Sequence, residues 1–135
     1  MLLVRLNGNI KGFWYKEGYI RTSCYEFTLE DCDNSYIHLT NDAIQQHCEN
    51  YGKYEDKNKL SYELFQRYLD LNYNLSGDEK RFDLEKHIIP KIRNVCIDSI
   101  KACSKSIGKW RDGLPTFELF GLDFMIDEQF NPWLI

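Results

Sequence analysis

The most informative stretch of the sequence is FELFGLDFMID, residues 117–127. It places Asp123 among apolar neighbours in a segment that is apolar on both faces, a pattern typical of central, buried strands. Residues 116–127 and 132–135 therefore predict two strands joined by a short turn. Asp127 lies on the same strand face as Asp123, because side chains alternate between the two faces of a strand.

A carboxylate inside such a strand needs a companion charge, since leaving a buried charge without its partner costs about 3–5 kcal/mol. Two interpretations are open. In the first, Asp123 and Asp127 share a hard cation such as Mg²⁺, which proteins hold through one or two carboxylates plus nucleotide phosphates. In the second, Asp123 is a strand-end residue paired with a lysine or arginine, and the spacing alone slightly favours this ion pair.

The amino-terminal part of the chain predicts three short strands in a meander, because its apolar runs are separated by turn signals. The first turn is Asn7-Gly8-Asn9, and Asn-Gly pairs favour the tight turns of β-hairpins. The second turn lies at residues 16–18. The predicted strands are residues 2–6, 10–15 and 19–22.

Helices are predicted next, where apolar residues recur at three- and four-residue spacing. YIHLTN, residues 36–41, predicts an extended segment that opens into the first helix, with Asn41 as its N-cap. Ser61 is the predicted cap of the second helix, and Pro90 fits the third only in a first turn or at a kink. The predicted helices are residues 42 to about 50, 60–71, and 88–107 before the stop at Gly108. Strands, helices and then strands again predict an α+β domain.

Composition narrows the protein class. The 135 residues suit one domain or half of a larger one, and a content of 43% hydrophobic and 15% aromatic residues predicts a folded unit rather than disorder. The formal charge of −4 argues against a nucleic-acid or anionic-membrane surface, which needs a basic footprint. No apolar run approaches the roughly 18 residues of a membrane span, so a cytoplasmic location is predicted. Five cysteines without C-x-x-C spacing predict reduced thiols.

Two places in the sequence are candidate anion-binding sites, the pair Thr40 and Asn41 and the single residue Arg21. Thr40 and Asn41 precede a helix, whose free N–H groups attract anions, although an ordinary N-cap explains the same pattern and is favoured. Arg21 carries a two-pronged guanidinium suited to an acidic peptide, and the favoured alternative is an edge-strand arginine that keeps the sheet soluble. The histidines and cysteines of residues 24–48 match no standard zinc spacing, which favours random scatter.

Four segments together resemble the tubulin–tyrosine ligase family, whose members are ATP-grasp ligases. They occur in the family's order and span essentially the whole chain. Two of them, YKEGYIRT and NYGKYE, are most similar to the branch that adds tyrosine to the α-tubulin carboxyl terminus. The segments are YKEGYIRT (15–22), YIHLTNDAIQ (36–45), NYGKYE (50–55) with Asn58, and FELFGLDFMIDEQFNPWLI (117–135).

The resemblance implies a mechanism and its site residues. In the family, ATP phosphorylates a tubulin carboxylate, and the amine of a free amino acid attacks the acyl phosphate to form a peptide or isopeptide bond. The resemblance implies that Asp123 is a Mg²⁺ ligand, that Thr40 and Asn41 lie at the nucleotide phosphates, and that Arg21 grips the acidic carboxyl-terminal tail of tubulin. It implies ATP and Mg²⁺ as cofactors, and a cytoplasmic location at microtubules or cilia.

The resemblance further implies that residues 1–135 are a partial catalytic domain, the carboxyl-terminal half of an ATP-grasp fold, with an antiparallel sheet and packed helices. The family's strand continues after W-L-I into Glu-x-Asn, two further Mg²⁺ ligands, whereas this sequence stops at Ile135. The family's ATP-binding lysines also lack an upstream counterpart, so we expect this chain alone to be inactive. Two alternatives are a polyglutamylase or glycylase of the same family and a non-catalytic tubulin-binding fragment.

Overall fold

A computed structural model describes residues 1–73, 82–106 and 114–135. These residues form helices and antiparallel sheets, the composition of the predicted α+β class. They belong to two compact units: the first unit contains Met1–Lys16 and Phe82–Ile135, and the second unit is Glu17–Arg81. Within the described ranges, no helix combines the length and apolarity that a membrane span requires.

The strands and helices are short and are distributed over both units. The five cysteines of the chain are free thiols, as the sequence predicted. In chain order the strands and α-helices of the described residues are β1 (Leu2–Leu6), β2 (Asn9–Phe13), β3 (Tyr19–Arg21), α1 (Ser35–His38), α2 (Asp42–Gln45), β4 (Lys59–Ser61), α3 (Tyr62–Tyr73), α4 (Ile89–Cys103), β5 (Thr116–Leu119), β6 (Phe124–Ile126) and β7 (Pro132–Leu134).

The first two strands form the predicted hairpin. The register places Leu6 opposite Asn9, so Asn7 and Gly8 are the two residues of the turn. Their φ angles are 49° and 80°. A type I′ turn requires positive φ at both positions, and Asn-Gly adopts this conformation with little strain. The hairpin prediction is therefore confirmed, except that the second strand begins at Asn9 and ends at Phe13 rather than at Tyr15.

The predicted three-stranded meander is wrong. Strand β3 pairs antiparallel with β4, with Ile20 opposite Leu60, whereas the second edge of β1 binds β5, with Leu2 opposite Leu119. The single strand predicted for residues 116–127 is divided into β5 and β6, and β6 pairs with β7 in a sheet of two strands. The pairing of β3 with β4 and of β1 with β5 joins strands that are distant in sequence, which local patterns do not specify.

The core of the first unit is built around α4. This helix begins at Ile89 with Pro90 in its first turn, where the missing N–H breaks no helical hydrogen bond, so that prediction is confirmed. A π-helical turn, Leu84–Ile88, precedes it. The predicted helix end at Ile107 and Gly108 lies outside the described residues. The buried apolar side chains of this unit include Leu3, Leu84, Ile88, Ile89, Ile92, Cys96 and Phe130.

Helices α1 and α2 of the second unit differ from the prediction. The segment YIHLTN is not extended throughout, because Asn34 caps α1 by accepting a hydrogen bond from the Tyr36 N–H at 3.1 Å. Helix α2 begins at Asp42 as predicted but ends at Gln45 rather than near Asn50. Two single-turn helices therefore replace one strand and one longer helix.

Helix α3 confirms its predicted cap and corrects its predicted start. The Ser61 hydroxyl accepts a hydrogen bond from the Leu64 N–H at 3.2 Å, which is the capping geometry. Leu60, predicted inside the helix, instead lies in β4. Along the predicted apolar face Leu69 is fully buried. The buried residues of the second unit include Cys24, Ile37, Gln45, Cys48, Asn58 and Leu69.

Candidate functional site

The predicted site residues are divided between the two units. Arg21 is the last residue of β3, and Thr40 and Asn41 immediately precede α2, all within the second unit. Asp123 belongs to the first unit and immediately precedes β6. Three of the four predicted site residues therefore share one folded unit.

Arg21 lies on an accessible pair of strands, directly opposite Lys59 of β4. Its guanidinium donates a hydrogen bond to the Tyr19 hydroxyl at 2.9 Å and lies 5.3 Å from the centroid of that ring. Tyr19 is 55% exposed and Arg21 is half-buried. Arg21 thus combines the edge position that favours solubility with the accessibility that carboxylate binding needs.

The Asp42 carboxylate lies beside these cations. Its Oδ1 is 3.6 Å from Lys59 Nζ and accepts a hydrogen bond from the Tyr51 hydroxyl at 2.6 Å. This hydrogen bond, followed by the charges of Lys59 and Arg21, holds the pKa of Asp42 below its ordinary value of 3.8. The same bond raises the pKa of Tyr51 to about 12. At neutral pH the carboxylate is ionised and the phenol keeps its proton.

Thr40 and Asn41 form the turn before α2. Asn41 has the predicted N-cap position, and its backbone carbonyl accepts hydrogen bonds from the N–H groups of Ile44 and Gln45, both at 2.9 Å. Its side chain makes no capping hydrogen bond. Because α2 has four residues, its dipole is small. Anion binding at this turn would depend on the Thr40 hydroxyl and the Asn41 amide.

The buried side chain of Gln45 holds this turn in place. Gln45 is 0% exposed, and its side-chain oxygen accepts a hydrogen bond from the Cys24 N–H at 2.8 Å. Its amide nitrogen donates to the carbonyl oxygens of Tyr36 and Leu39 at 3.1 and 2.6 Å. One side chain therefore connects α2 with the segment that follows β3 and with both ends of the α1 segment.

Asn58 fixes the segment before β4 in a similar way. It is 5% exposed; its side chain accepts from the Gly52 N–H at 2.8 Å and donates to the Thr22 carbonyl at 3.3 Å. The Asn58 carbonyl in turn accepts from the Thr22 N–H at 3.0 Å. Gly52 and Asn58 have φ angles of 71° and 50°, a region that glycine and asparagine tolerate best. These contacts fix the end of β3, next to Arg21.

The two carboxylates of the first unit have different environments. Asp123 is exposed, so the prediction that it lies inside a buried strand is wrong, and no hydrogen bond or ion pair between described residues engages its carboxylate. Asp127 accepts hydrogen bonds from the N–H groups of Asn131 and Gln129 at 2.8 and 3.0 Å, and from the Trp133 indole at 3.0 Å. These bonds, that of Asn131 foremost, hold the pKa of Asp127 below its ordinary value. Asp127 is therefore a turn-stabilising residue.

Metal-binding chemistry is limited in the described part of the chain. It contains no group of three or more histidine, cysteine or acidic side chains placed to hold a metal ion. Asp123 is an accessible carboxylate, and a cation bound there would need further oxygen ligands from a substrate or from another part of a protein.

Four residues of the second-unit site were not predicted from the sequence: Asp42 and Tyr51 as partners of the cations, Gln45 as the support of the turn, and Lys59 as the neighbour of Arg21. Three of them lie inside the segments that carry the family resemblance, which is a usable signal. Lys59 lies in none of those segments, and its role depends on strand pairing that no local pattern specifies.

Comparison with known proteins gives one family. The profile described as "Tubulin-tyrosine ligase family" matches residues 2–135. Tubulin glycylase 3B of Tetrahymena thermophila is 34% identical over 125 residues, which cover 91% of this chain and 10% of the relative. Tubulin glycylase 3A of Drosophila melanogaster is 37% identical over 123 residues, which cover 91% of this chain and 12% of the relative.

A third relative, a probable alpha-tubulin polyglutamylase of Tetrahymena thermophila, is 32% identical over 128 residues, covering 93% of this chain and 28% of the relative. The chain therefore spans between 10% and 28% of the length of these three relatives. Their names specify glycylation or polyglutamylation, so they give no support to the predicted similarity to the tyrosine-adding branch.

Proposed function

The chain belongs to the tubulin-tyrosine ligase family, and from that premise we propose that it is part of an ATP-dependent ligase that joins an amino acid to tubulin. The observation that carries the proposal is the accessible guanidinium of Arg21, which is supported by buried residues of the family-like segments. A guanidinium binds a carboxylate through two parallel hydrogen bonds. In the proposed reaction Arg21 orients the acceptor carboxylate of the acidic tubulin tail.

Glycine is the amino acid that we propose first, and glutamate is the second candidate. Two glycylases are 34% and 37% identical to the chain, and a probable polyglutamylase is 32% identical. The amine of the added amino acid would attack an acyl phosphate of the acceptor carboxylate, as the family's chemistry implies. We place this activity in the cytoplasm, at microtubules or cilia, because tubulin is the proposed acceptor.

ATP and Mg²⁺ are the proposed cofactors, within half of an ATP-grasp fold. The exposed Asp123 carboxylate fits Mg²⁺, a hard cation that is typically held by one or two carboxylates and the phosphates of its nucleotide. In the second unit, we propose that the Thr40 hydroxyl and the Asn41 amide bind nucleotide phosphates, as the family resemblance implies. When bound, the nucleotide and metal supply the phosphoryl group and neutralise its charge. Within the second unit Asp42 forms an ion pair with Lys59 and accepts a hydrogen bond from Tyr51.

The proposal is tested by incubating the chain, and a longer protein that contains it, with tubulin, ATP, Mg²⁺ and labelled glycine, glutamate or tyrosine. Mass spectrometry of tubulin should show added glycine. Asp123→Asn should abolish the transfer and leave folding intact, because the residue is exposed. Glu128→Gln removes an equally exposed carboxylate from the neighbouring turn and should leave the transfer unchanged.

Three outcomes would contradict parts of this proposal. Transfer of glutamate alone would replace the first candidate with the second. Full activity of Asp123→Asn would remove Asp123 from the metal site. Tubulin binding by the longer protein, with no amino acid transferred under any condition, would favour the non-catalytic alternative.

A further inference from the structure

The pair of strands β3 and β4 presents two cations on one face. Arg21 lies directly opposite Lys59 in the antiparallel register, and residues that face each other in this way project to the same side of a sheet. Tyr19, two residues before Arg21, shares that side. Its ring centroid is 5.3 Å from the guanidinium carbon and 5.8 Å from Lys59 Nζ. The exposed ring therefore contacts both cations.

This arrangement opposes folding unless an anion compensates it, because like charges directly opposite each other destabilise a strand pair. The Asp42 carboxylate interacts electrostatically with both cations. It lies 3.6 Å from Lys59 Nζ and within electrostatic range of Arg21. Asp42 therefore offsets one of the two positive charges on this face. The Lys59 and Asp42 side chains are 35% and 39% exposed, so solvent weakens their ion pair.

We infer that Lys59 is a second ligand-binding cation beside Arg21, and that the face formed by Tyr19, Arg21 and Lys59 binds a peptide with two neighbouring carboxylates. The inference rests on the proposed function, which supplies an acidic peptide as the partner. In the free protein Lys59 forms an ion pair with Asp42. On binding, a carboxylate of the peptide displaces Asp42 from Lys59.

The geometry suits an extended acidic peptide. Alternate side chains of an extended strand project to one side at a spacing of roughly 7 Å, twice the rise per residue. Arginine and lysine opposite each other on paired strands have flexible stems that reach across such a distance. Arg21 supplies a planar, two-pronged contact, and Lys59 supplies a compact point charge.

Binding of a synthetic peptide of alternating glutamate and glycine to the full chain tests the inference, with a glutamine-for-glutamate peptide as the reference. Lys59→Gln should weaken binding of the acidic peptide roughly three- to tenfold and reduce its salt dependence, whereas Lys59→Arg should retain both. Asp42→Asn should strengthen binding, because it frees the lysine. Lys53→Gln is the matched control: it removes one exposed lysine from the same unit and should have little effect.

Circular dichroism spectra and melting curves of each variant establish that it is folded. Equal losses in Lys59→Gln and Lys53→Gln would overturn the inference, since net charge alone would then explain binding. A weaker Asp42→Asn complex would also overturn it. Neither result bears on amino acid transfer to tubulin, so the proposed function can stand when the inference fails. Conversely, peptide binding that depends on Lys59, without any transfer of an amino acid to tubulin, would support the inference and contradict the proposed ligase activity.

Discussion

Replacement of Gln45 by methionine should destabilise the second unit more than any exposed substitution in the same helix. Methionine has a similar length and remains compatible with the buried position, but it cannot form the hydrogen bonds of the glutamine amide. The Cys24 N–H and the carbonyl oxygens of Tyr36 and Leu39 would then lose their partner.

The expected magnitude follows from how buried those three groups are. A buried polar group without a partner costs about 1–3 kcal/mol. The hydrogen bond to Cys24 is buried, whereas those to Tyr36 and Leu39 are partly buried and can be replaced in part by water. Gln45→Met should therefore lower the free energy of unfolding by about 2–4 kcal/mol, a large share of the roughly 5–15 kcal/mol typical of a domain.

Urea denaturation followed by circular dichroism measures this difference. The matched control is Gln46→Met, since Gln46 is the next residue, is exposed, and donates one exposed hydrogen bond to the Ala43 carbonyl at 3.3 Å. The control should change stability by no more than about 0.5 kcal/mol. If both variants lose the same stability, the buried amide is not the support that its three hydrogen bonds indicate.

Two further predictions concern the family-like segments of the second unit. Because the folded pKa of Tyr51 is raised from 10.0 to about 12, the stability that its hydrogen bond adds is complete below pH 10 and is lost as the pH rises toward 12. The difference in unfolding free energy between the native chain and Tyr51→Phe should shrink over that interval, and a constant difference would contradict the assignment. Gly18→Ala should destabilise the chain by about 1 kcal/mol, since the new methyl group would displace the hydroxyl end of the half-buried Tyr62 side chain. Gly121→Ala, which has open space, should be nearly neutral in the same thermal melts.

Local sequence signals predicted those parts of the fold that depend on neighbouring residues. The turn at Asn7 and Gly8 needs positive φ at two adjacent positions. Asparagine and glycine are the residues that adopt positive φ most readily, so the sequence predicts this turn. The Ser61 cap and the first-turn position of Pro90 are also local properties. Helix α1 was not predicted because the apolar residues of YIHLTN resemble a strand. The signal that indicates a helix is the N-cap residue Asn34, which lies before that segment.

Non-local pairing explains the remaining errors. The second partner of β1 is β5, which is more than a hundred residues away along the chain. The residue types of 116–119 do not specify pairing with β1 rather than with another strand. The same limitation hid Lys59, whose relation to Arg21 exists only through the pairing of β3 with β4. Asp123 was misplaced for a related reason, because apolar neighbours indicate burial only when other elements cover both faces of a strand.

The site residues of the chain divide into residues that support the local fold and residues that are available for chemistry. Gln45 and Asn58 are buried and bind backbone groups, so they stabilise the local fold of the second unit. Arg21, Lys59 and Asp123 keep exposed surface and contribute less to that support. The match of the family profile to residues 2–135 shows the family, whereas the proposed amino acid transfer and peptide binding depend on the second group. Substitutions in the second group should therefore alter binding or transfer at nearly constant stability, and those in the first should alter stability itself.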